Sequence, residues 1–543
     1  MFERNQTVAF VAAAAIAIVG TVRTLSSVGG SSVLTYHNDN ARTGQNLAET
    51  ILRPDNVSAA TFGKAGFFTT DGKVDAQPLL LPDVPIPGQG THNVVYVVTE
   101  HDSVYAFDAE SGAVLWHIST LGAGEVPSDG RNCSQVIPEI GITSTPVIDP
   151  SRGPNGVIYV VAMSKNGSTY IHRLHALDVT TGAELFGGPK TVQASVPGTG
   201  AGSSGGTLPF DPKQYEERAG LLLTNGKLIT AWSSHCDIDP YTGWIMAYNP
   251  DTLAQTGVLN VTPNGSRGAL WMAGAGPAAD SAGNVYLLDG NGTFDTTLNG
   301  SGFPNMGDFG NAFLKVSTTG GLAVADYFAT FDTVSKSNAD SDLGSGGSLV
   351  LPDFVDSGGQ TRHLAVGAGK DAHMYVVDRD AMGKWNPSSN AIYQDISGAI
   401  GGAVFSMPAY FNGTLYYGGS GSTLKAFKIV NARVSSTAAS HSPGSFSYPG
   451  TTPGISASGT TNGIVWAVEN SSPAVLHAYD ALDLSHELYN SNQAPSGRDT
   501  FGPGNKFITP TIVNGRVYVG TATGVAVFSR FVPNPPTGLT IRY

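Results

Sequence analysis

The feature that most constrains this chain is a phrase it writes more than once. Residues 99–116 read TEHDSVYAFDAESGAVLW, and residues 170–186 read YIHRLHALDVTTGAELF. Each copy couples a β-branched and aromatic run, which suits a half-buried strand, to a turn and a further strand. In the turn an Asp can bond its own backbone and a Gly can supply positive φ. The first complete unit comprises residues 76–81 (AQPLLL), 94–99 (VVYVVT), 103–108 (SVYAFD) and 113–118 (AVLWHI). Four short strands joined by tight turns predict an antiparallel meander, with Pro78 near the start of its first strand, where a missing N–H costs least.

The same order returns from residues 142, 219, 276, 348, 406, 454 and 508. The last unit lacks its fourth strand, while an isolated candidate strand, residues 65–72 (AGFFTTDG), precedes the first complete unit. If that early segment supplies the missing outer strand, the two ends of the chain complete one blade together and no sheet edge is left open. Repeats of four short strands define a β-propeller. The expected fold is therefore all-β: an eight-bladed propeller of four-stranded antiparallel blades over residues 61–531, closed by an N-terminal strand. A ring that closes on itself is expected to be a monomer.

Composition narrows the function. Only 13% of residues are charged, and the net charge is −13 with 29 Lys plus Arg. An acidic body without a basic stripe repels phosphate backbones, which argues against nucleic-acid binding. Arg4 precedes an apolar block at residues 8–20, a length that fits a secretory leader better than a membrane span. Residues 1–32 are read as a signal peptide or N-terminal anchor, 33–60 as an N-terminal extension and 532–543 as a Pro-rich tail. The expected location is secreted or periplasmic, with no membrane span after the N-terminus. Two cysteines, Cys133 and Cys236, in an exported chain suggest one disulfide.

The repeats AFDAESGAVLW (106–116), ALDVTTGAELF (176–186) and VNGRVYVGTATG (513–524) resemble those of pyrroloquinoline quinone (PQQ) enzymes and their relatives. The opening YHNDNARTGQN (36–46) resembles that of exported bacterial proteins carrying the same repeat. The resemblance implies a quinoprotein-type propeller in which Trp116, Phe186 and Trp385 wedge between blades. In the resembling dehydrogenases, calcium rests on a Glu, an Asn and an Asp. The quinone stacks on a Trp, and an Arg or Lys lies near its oxygens. Residues of these types here are Glu139, Asn291, Trp271 and Lys370. The adjacent Cys-Cys ring of several such enzymes is absent, as is a CxxCH haem motif.

Propeller geometry says where chemistry can sit. The turns between second and third strands and the loops between blades gather on one face, around the channel, and such mouths favour ligands. Those segments carry His101 and Asp102, Glu139, Arg218, His235 and Asp237, Trp271, Asn291, Lys370 and Lys506. Cys133 and Cys236 fall on the same face, so their bridge would tie the mouth together. Oxygen ligands such as Glu139, Asp237 and Asn291 suit calcium, assembled from distant blades. His101 and His235 lack a metal-ligand spacing. HExxH and P-loop patterns are absent, and the glycine run at 198–206 reads as a flexible loop.

Two readings result. The first is an exported propeller whose mouth binds a polar ligand, either a glycan or a protein partner. His101, Asp102, His235, Arg218 and Lys506 would be its contacts. The alternative is a PQQ- and calcium-dependent dehydrogenase of an alcohol or sugar. Trp271, Lys370, Asn291 and Glu139 would then serve the cofactor, and Glu139 or Asp237 the base.

Overall fold

The structure is a computed structural model that describes residues 30–531. The expected leader (residues 1–32) and the Pro-rich tail lie almost wholly outside the described residues. Among the described residues no helix is long and apolar enough to cross a membrane.

Eight small antiparallel sheets form an eight-bladed propeller. Blade 1 runs Leu79–Ile86, Gly90–Val98, Ser103–Asp108, Val114–Ser119, each strand paired with the next. Blade 8 takes Thr511–Val513, Arg516–Thr521 and Gly524–Arg530 from the C-terminal end, and its outer strand is Phe62–Thr69, antiparallel to Gly524–Arg530. The closing strand thus begins three residues earlier than the sequence suggests, because Phe62 is fully buried against Phe528 and pairs opposite Arg530.

The repeated phrase has a packing reason. Gly182, in the turn of blade 2, has φ +71°, and a Cβ there would lie 2.9 Å from the indole of Trp116 in blade 1. Gly112, in the matching turn of blade 1, has φ +73°, and a Cβ there would lie 2.7 Å from Phe68 in the closing strand. Each turn glycine therefore admits an aromatic ring from the preceding blade, and Phe68 occupies in blade 8 the place Trp116 holds in blade 1. Trp116 also donates its indole N–H to the Val179 carbonyl at 3.0 Å. Trp385 lies between blades too, against Phe294 of blade 4 with ring centroids 5.9 Å apart. Phe186 departs from the expected pattern. Residues 183–186 are not a strand; Phe186 has φ 55°, and the outer strand of blade 2 is the two-residue Lys190–Thr191, beyond the break at Gly187, Gly188 and Pro189.

The segment read as an extension is the centre of the molecule. From residue 33 onward it crosses the innermost strands of the blades in ring order. Val33 exchanges both backbone bonds with Leu80 of blade 1, and Ile148 of blade 2 donates to the Leu34 carbonyl. Asn40 donates to the Leu223 carbonyl of blade 3. Ala279, Val350, Tyr410 and Ile455, of blades 4 to 7, donate in turn to the carbonyls of Asn40, Ala41, Thr43 and Gly44. Asn46 donates to the Ile512 carbonyl of blade 8 at 3.0 Å. Arg42 is fully buried within this plug. Its guanidinium donates to the carbonyls of Pro277, Leu221 and Tyr36 and to the Thr35 hydroxyl, at 2.7–3.0 Å. Short inner strands end in polar backbone that water cannot reach, and the plug satisfies those groups.

Candidate functional site at the channel mouth

Among the described residues one end of the channel is plugged, and the other is the face where second-to-third-strand turns and inter-blade loops meet. A cavity of about 340 Å3 lies there. Blades 3 to 5 contribute Asp237, Trp271, Asn291, Asp342 and Lys370 to its wall. Arg218, from the loop leading into blade 3, lines it as well, and so do the rings of Phe405, Tyr448 and Phe507 from the later inter-blade loops. Beneath it a small polar recess reaches down to Tyr36 of the plug, which hydrogen bonds Thr509 at 3.2 Å. The plug is therefore the floor of the site.

The mouth is held by a covalent tie. Cys133, in the loop between blades 1 and 2, is disulfide-bonded to Cys236 in the turn of blade 3, as the sequence suggests. Around it the backbone takes conformations that non-glycine residues seldom adopt: φ is 68° at Asn132, 45° at Cys236, 54° at Asp237, 47° at Met272 and 50° at Ala273. Strain of this kind persists where surrounding structure imposes it, and it concentrates at functional sites.

The charges form two groups. On one side Lys370 lies 2.8 Å from Asp342 and also pairs with Asp340, and Asn291 donates to Asp340 at 2.5 Å. Burial works to lower the Lys370 pKa, but Asp342 and Asp340 outweigh it and raise it. Burial pushes Asp342 up, with Lys370 opposing. Asp289, two residues before Asn291 in the chain, is fully buried. Neither of its carboxyl oxygens has a hydrogen-bond partner, and the side-chain amide oxygen of Asn291 has none either. Burial, reinforced by Asp342, holds the Asp289 carboxyl well above the usual range.

On the other side, Arg218 is 5% exposed and stacks over the Phe507 ring at 4.9 Å. Its nearest carboxylate is Glu216 at 3.8 Å, too far for a hydrogen bond, and its Nε has no partner. Lys506 bonds Gln135 at 3.0 Å and faces the Tyr448 ring at 5.7 Å. Burial, then Arg218 and Lys73, lower the Lys506 pKa.

The structure separates the expected site residues. Asp237, Trp271, Asn291, Lys370 and Arg218 share the cavity, and Lys506 lines the recess below it. Glu139 does not line the cavity; it hydrogen bonds His101 Nδ1 at 2.8 Å, a half-buried pair of neighbouring mouth loops. Asp102 is fully buried, and its backbone carbonyl accepts from the Thr120 hydroxyl. His235 is also fully buried and bonds the Tyr215 carbonyl, and burial lowers its pKa to about 4. These four are therefore wall and rim rather than pocket. Asp342, with Phe405, Tyr448 and Phe507, is what sequence reasoning left without a role. Their position in inter-blade loops was the available signal.

No family model matches the chain, and no curated protein matches it. Solved structures do. The chain superimposes on a quinohemoprotein alcohol dehydrogenase from Comamonas testosteroni with a TM-score of 0.59 at 15% identity, covering 94% of this chain and 82% of that one. A quinohemoprotein alcohol dehydrogenase from Pseudomonas putida HK5 gives 0.58 at 13% identity, covering 93% and 82%. A europium-containing methanol dehydrogenase gives 0.54 at 12% identity, covering 92% and 98%. The chain thus has the PQQ-type eight-bladed propeller fold.

Proposed function

We propose that the protein is an exported quinoprotein-type oxidoreductase whose mouth cavity takes a planar anionic quinone of the PQQ class and oxidises an alcohol or a sugar. The observation that carries this reading is the meeting of Trp271, Asn291, Asp342 and Lys370 in one 340 Å3 cavity. The chemistry of the wall suits the group: an indole for a flat ring system, the Lys370 ammonium beside Asp342, and the unpartnered side-chain oxygen of Asn291, with the buried, unpartnered Asp289 carboxyl behind the wall. Such hard oxygens match calcium, which accepts six to eight of them. Among the described residues no three His, Cys, Asp or Glu side chains are grouped so as to hold a metal ion, so Asn291 and the Asp289 carboxyl would supply only part of a cation's shell.

When bound, the quinone would supply the two-electron oxidation. The chain's own part is to hold and to take a proton. Trp271 would support one face of the ring system, and Asn291 with Asp289 would hold the cation. Burial raises the basicity of Asp342 while Lys370, 2.8 Å away, opposes that rise, so Asp342 would be the carboxylate to accept the substrate hydroxyl proton. That role moves away from Glu139, which is committed to His101 outside the cavity. The disulfide and the apolar block at residues 8–20 support export. With no CxxCH motif, electrons would leave to a separate acceptor.

Titration of the purified chain with PQQ and calcium, read by absorbance and dye-linked oxidation of an alcohol and sugar panel, tests this. Saturable uptake with turnover, lost in Trp271→Ala, is expected. A folded protein that takes up no quinone overturns it. The recognition reading rests on a different observation, the aromatic side formed by Phe405, Tyr448 and Phe507, with Phe405 and Tyr448 edge-to-face at 5.1 Å. Such rings stack sugars without chemistry, and retention on a glycan array in the absence of quinone uptake would favour it.

A further inference from the structure

The two cationic groups of the mouth are in different states. Lys370 is committed to Asp342 and Asp340. Across the mouth, the loops between blades 1 and 2, 2 and 3, and 7 and 8 bring Gln135, Arg218 and Lys506 together around the recess beneath the cavity. Arg218 lines both the cavity and the recess. It is more than nine-tenths buried, and its Nε has no hydrogen-bond partner. Glu216 at 3.8 Å offsets part of its charge without bonding it. Lys73 is spent on Asp75 at 2.9 Å. Lys506 has a neutral partner, Gln135. A buried guanidinium with an unused donor beside an ammonium without a carboxylate is costly unless an anion completes it.

We infer that Arg218 and Lys506 form a carboxylate-binding subsite at the deep end of the mouth, and that the protein's ligand is a hydroxyl compound bearing a carboxylate, a hydroxy acid such as a uronic acid. As an assignment of substrate class this rests on the oxidoreductase reading; as a binding site it does not. The geometry favours the substrate over the cofactor as the source of the carboxylate. Trp271, Asn291, Asp342 and Lys370 come from blades 3 to 5 and the loops between them, whereas Lys506 and Gln135 come from the loops on either side of blades 8 and 1, and Arg218, from the loop leading into blade 3, borders both groups. A ligand anchored by its carboxylate at Arg218 would lie beside Phe507 and Tyr448, which line the cavity, and extend its hydroxyl groups toward Asp342. The aromatic side suits the apolar face of a sugar ring, and the subsite its acidic end.

The test is calorimetric titration of the full chain with D-glucuronate and with D-glucose, repeated on Lys506→Gln, together with PQQ uptake by the same variant. The expected result is binding of glucuronate at least about tenfold tighter than glucose, the effect of one charge-assisted contact. Lys506→Gln should lose that preference and retain quinone uptake. Equal binding of both sugars, or a preference untouched by the substitution, overturns the subsite. Loss of quinone uptake in Lys506→Gln would give the pair to the cofactor's own carboxylates and overturn the assignment to substrate. If the wild-type chain takes up no quinone but still prefers glucuronate, the oxidoreductase reading fails while the subsite stands. Arg218→Lys, which keeps the charge and removes the planar fork, should weaken glucuronate binding without abolishing it.

Discussion

Arg42 and Arg218 are both buried guanidinium groups beside the channel of the propeller, one at each end. Arg42 spends its donors on the carbonyls of Pro277, Leu221 and Tyr36 and on the Thr35 hydroxyl. Arg218 keeps an Nε with no partner, a carboxylate at 3.8 Å and an aromatic ring beneath it. The same contrast runs through their surroundings. At the plugged end every blade bonds the segment that crosses it. At the mouth, Asp289, Asn291 and Arg218 all carry buried polar atoms without partners. Folding disfavours such atoms, so a cluster at one end and a closed network at the other divides the molecule into a part that holds the ring and a part that awaits a ligand.

If that division is right, the largest effect of a single substitution lies at the plug. Arg42→Met strands several buried carbonyls at once, and losses of about 3–5 kcal/mol follow when a buried charged hub is removed. The variant should show a thermal midpoint many degrees lower or fail to accumulate in soluble form. A midpoint unchanged from wild type would show that the plug merely occupies the channel.

The tie across the mouth should come next. Cys133 and Cys236 are 103 residues apart, and closing a loop of that size stabilises by about 2–4 kcal/mol in typical measurements. The double substitution to serine should lower the midpoint while leaving the plug contacts in place. It should cost glucuronate affinity more than Arg42→Met does in any fraction that folds. The reverse order would break the comparison.

A buried acid gives an effect with a definite sign. Glu217 is buried between blades 2 and 3 with neither carboxyl oxygen bonded, and burial pushes its pKa to about 8. In the unfolded chain it titrates near the ordinary 4.5. Between those values the folded protein holds a proton that the unfolded chain has released. Stability is then greatest below the unfolded pKa and declines as pH rises toward the folded one, by at most about 1.4 kcal/mol per pH unit. Glu217→Gln should flatten this slope and raise stability at pH 7 by about 1–3 kcal/mol, as read by urea unfolding at pH 5, 6, 7 and 8. A variant less stable than wild type at pH 7 would mean that the carboxylate has a partner there.

How far the sequence carried the reading follows the same line. The closing strand was visible because the last unit lacks a fourth strand and residues 65–72 offer one. The disulfide followed from which turns face the mouth. The plug was not visible. Residues 33–46 have no periodicity, since their bonds run one at a time to eight different strands, and His37, Asn38 and Arg42 turn the chain through positive φ where no glycine marks the bend. At the mouth, loop position indicated which residues gather on the face but not which pair with one another. Thus Glu139 and His101 bond each other at the rim, and Asp342, in an inter-blade loop like many others, emerges as the buried partner of Lys370.

The smallest effect is the sharpest test, because it asks a charged residue to matter for binding and hardly at all for folding. Lys506 is half-buried, with one hydrogen bond, to Gln135, and Arg218 and Lys73 as neighbours of like charge that depress its pKa. Replacing it by glutamine removes a repulsion along with a charge, and an amide can still bond Gln135. The expected change in stability lies within about 0.5 kcal/mol, the range of substitutions that create no cavity and strand no partner. Added glucuronate should raise the wild-type midpoint by mass action and the variant's far less. A marked fall in stability without ligand would place Lys506 with Arg42 among the residues that hold the ring, and the contrast between the two ends would no longer hold at this position.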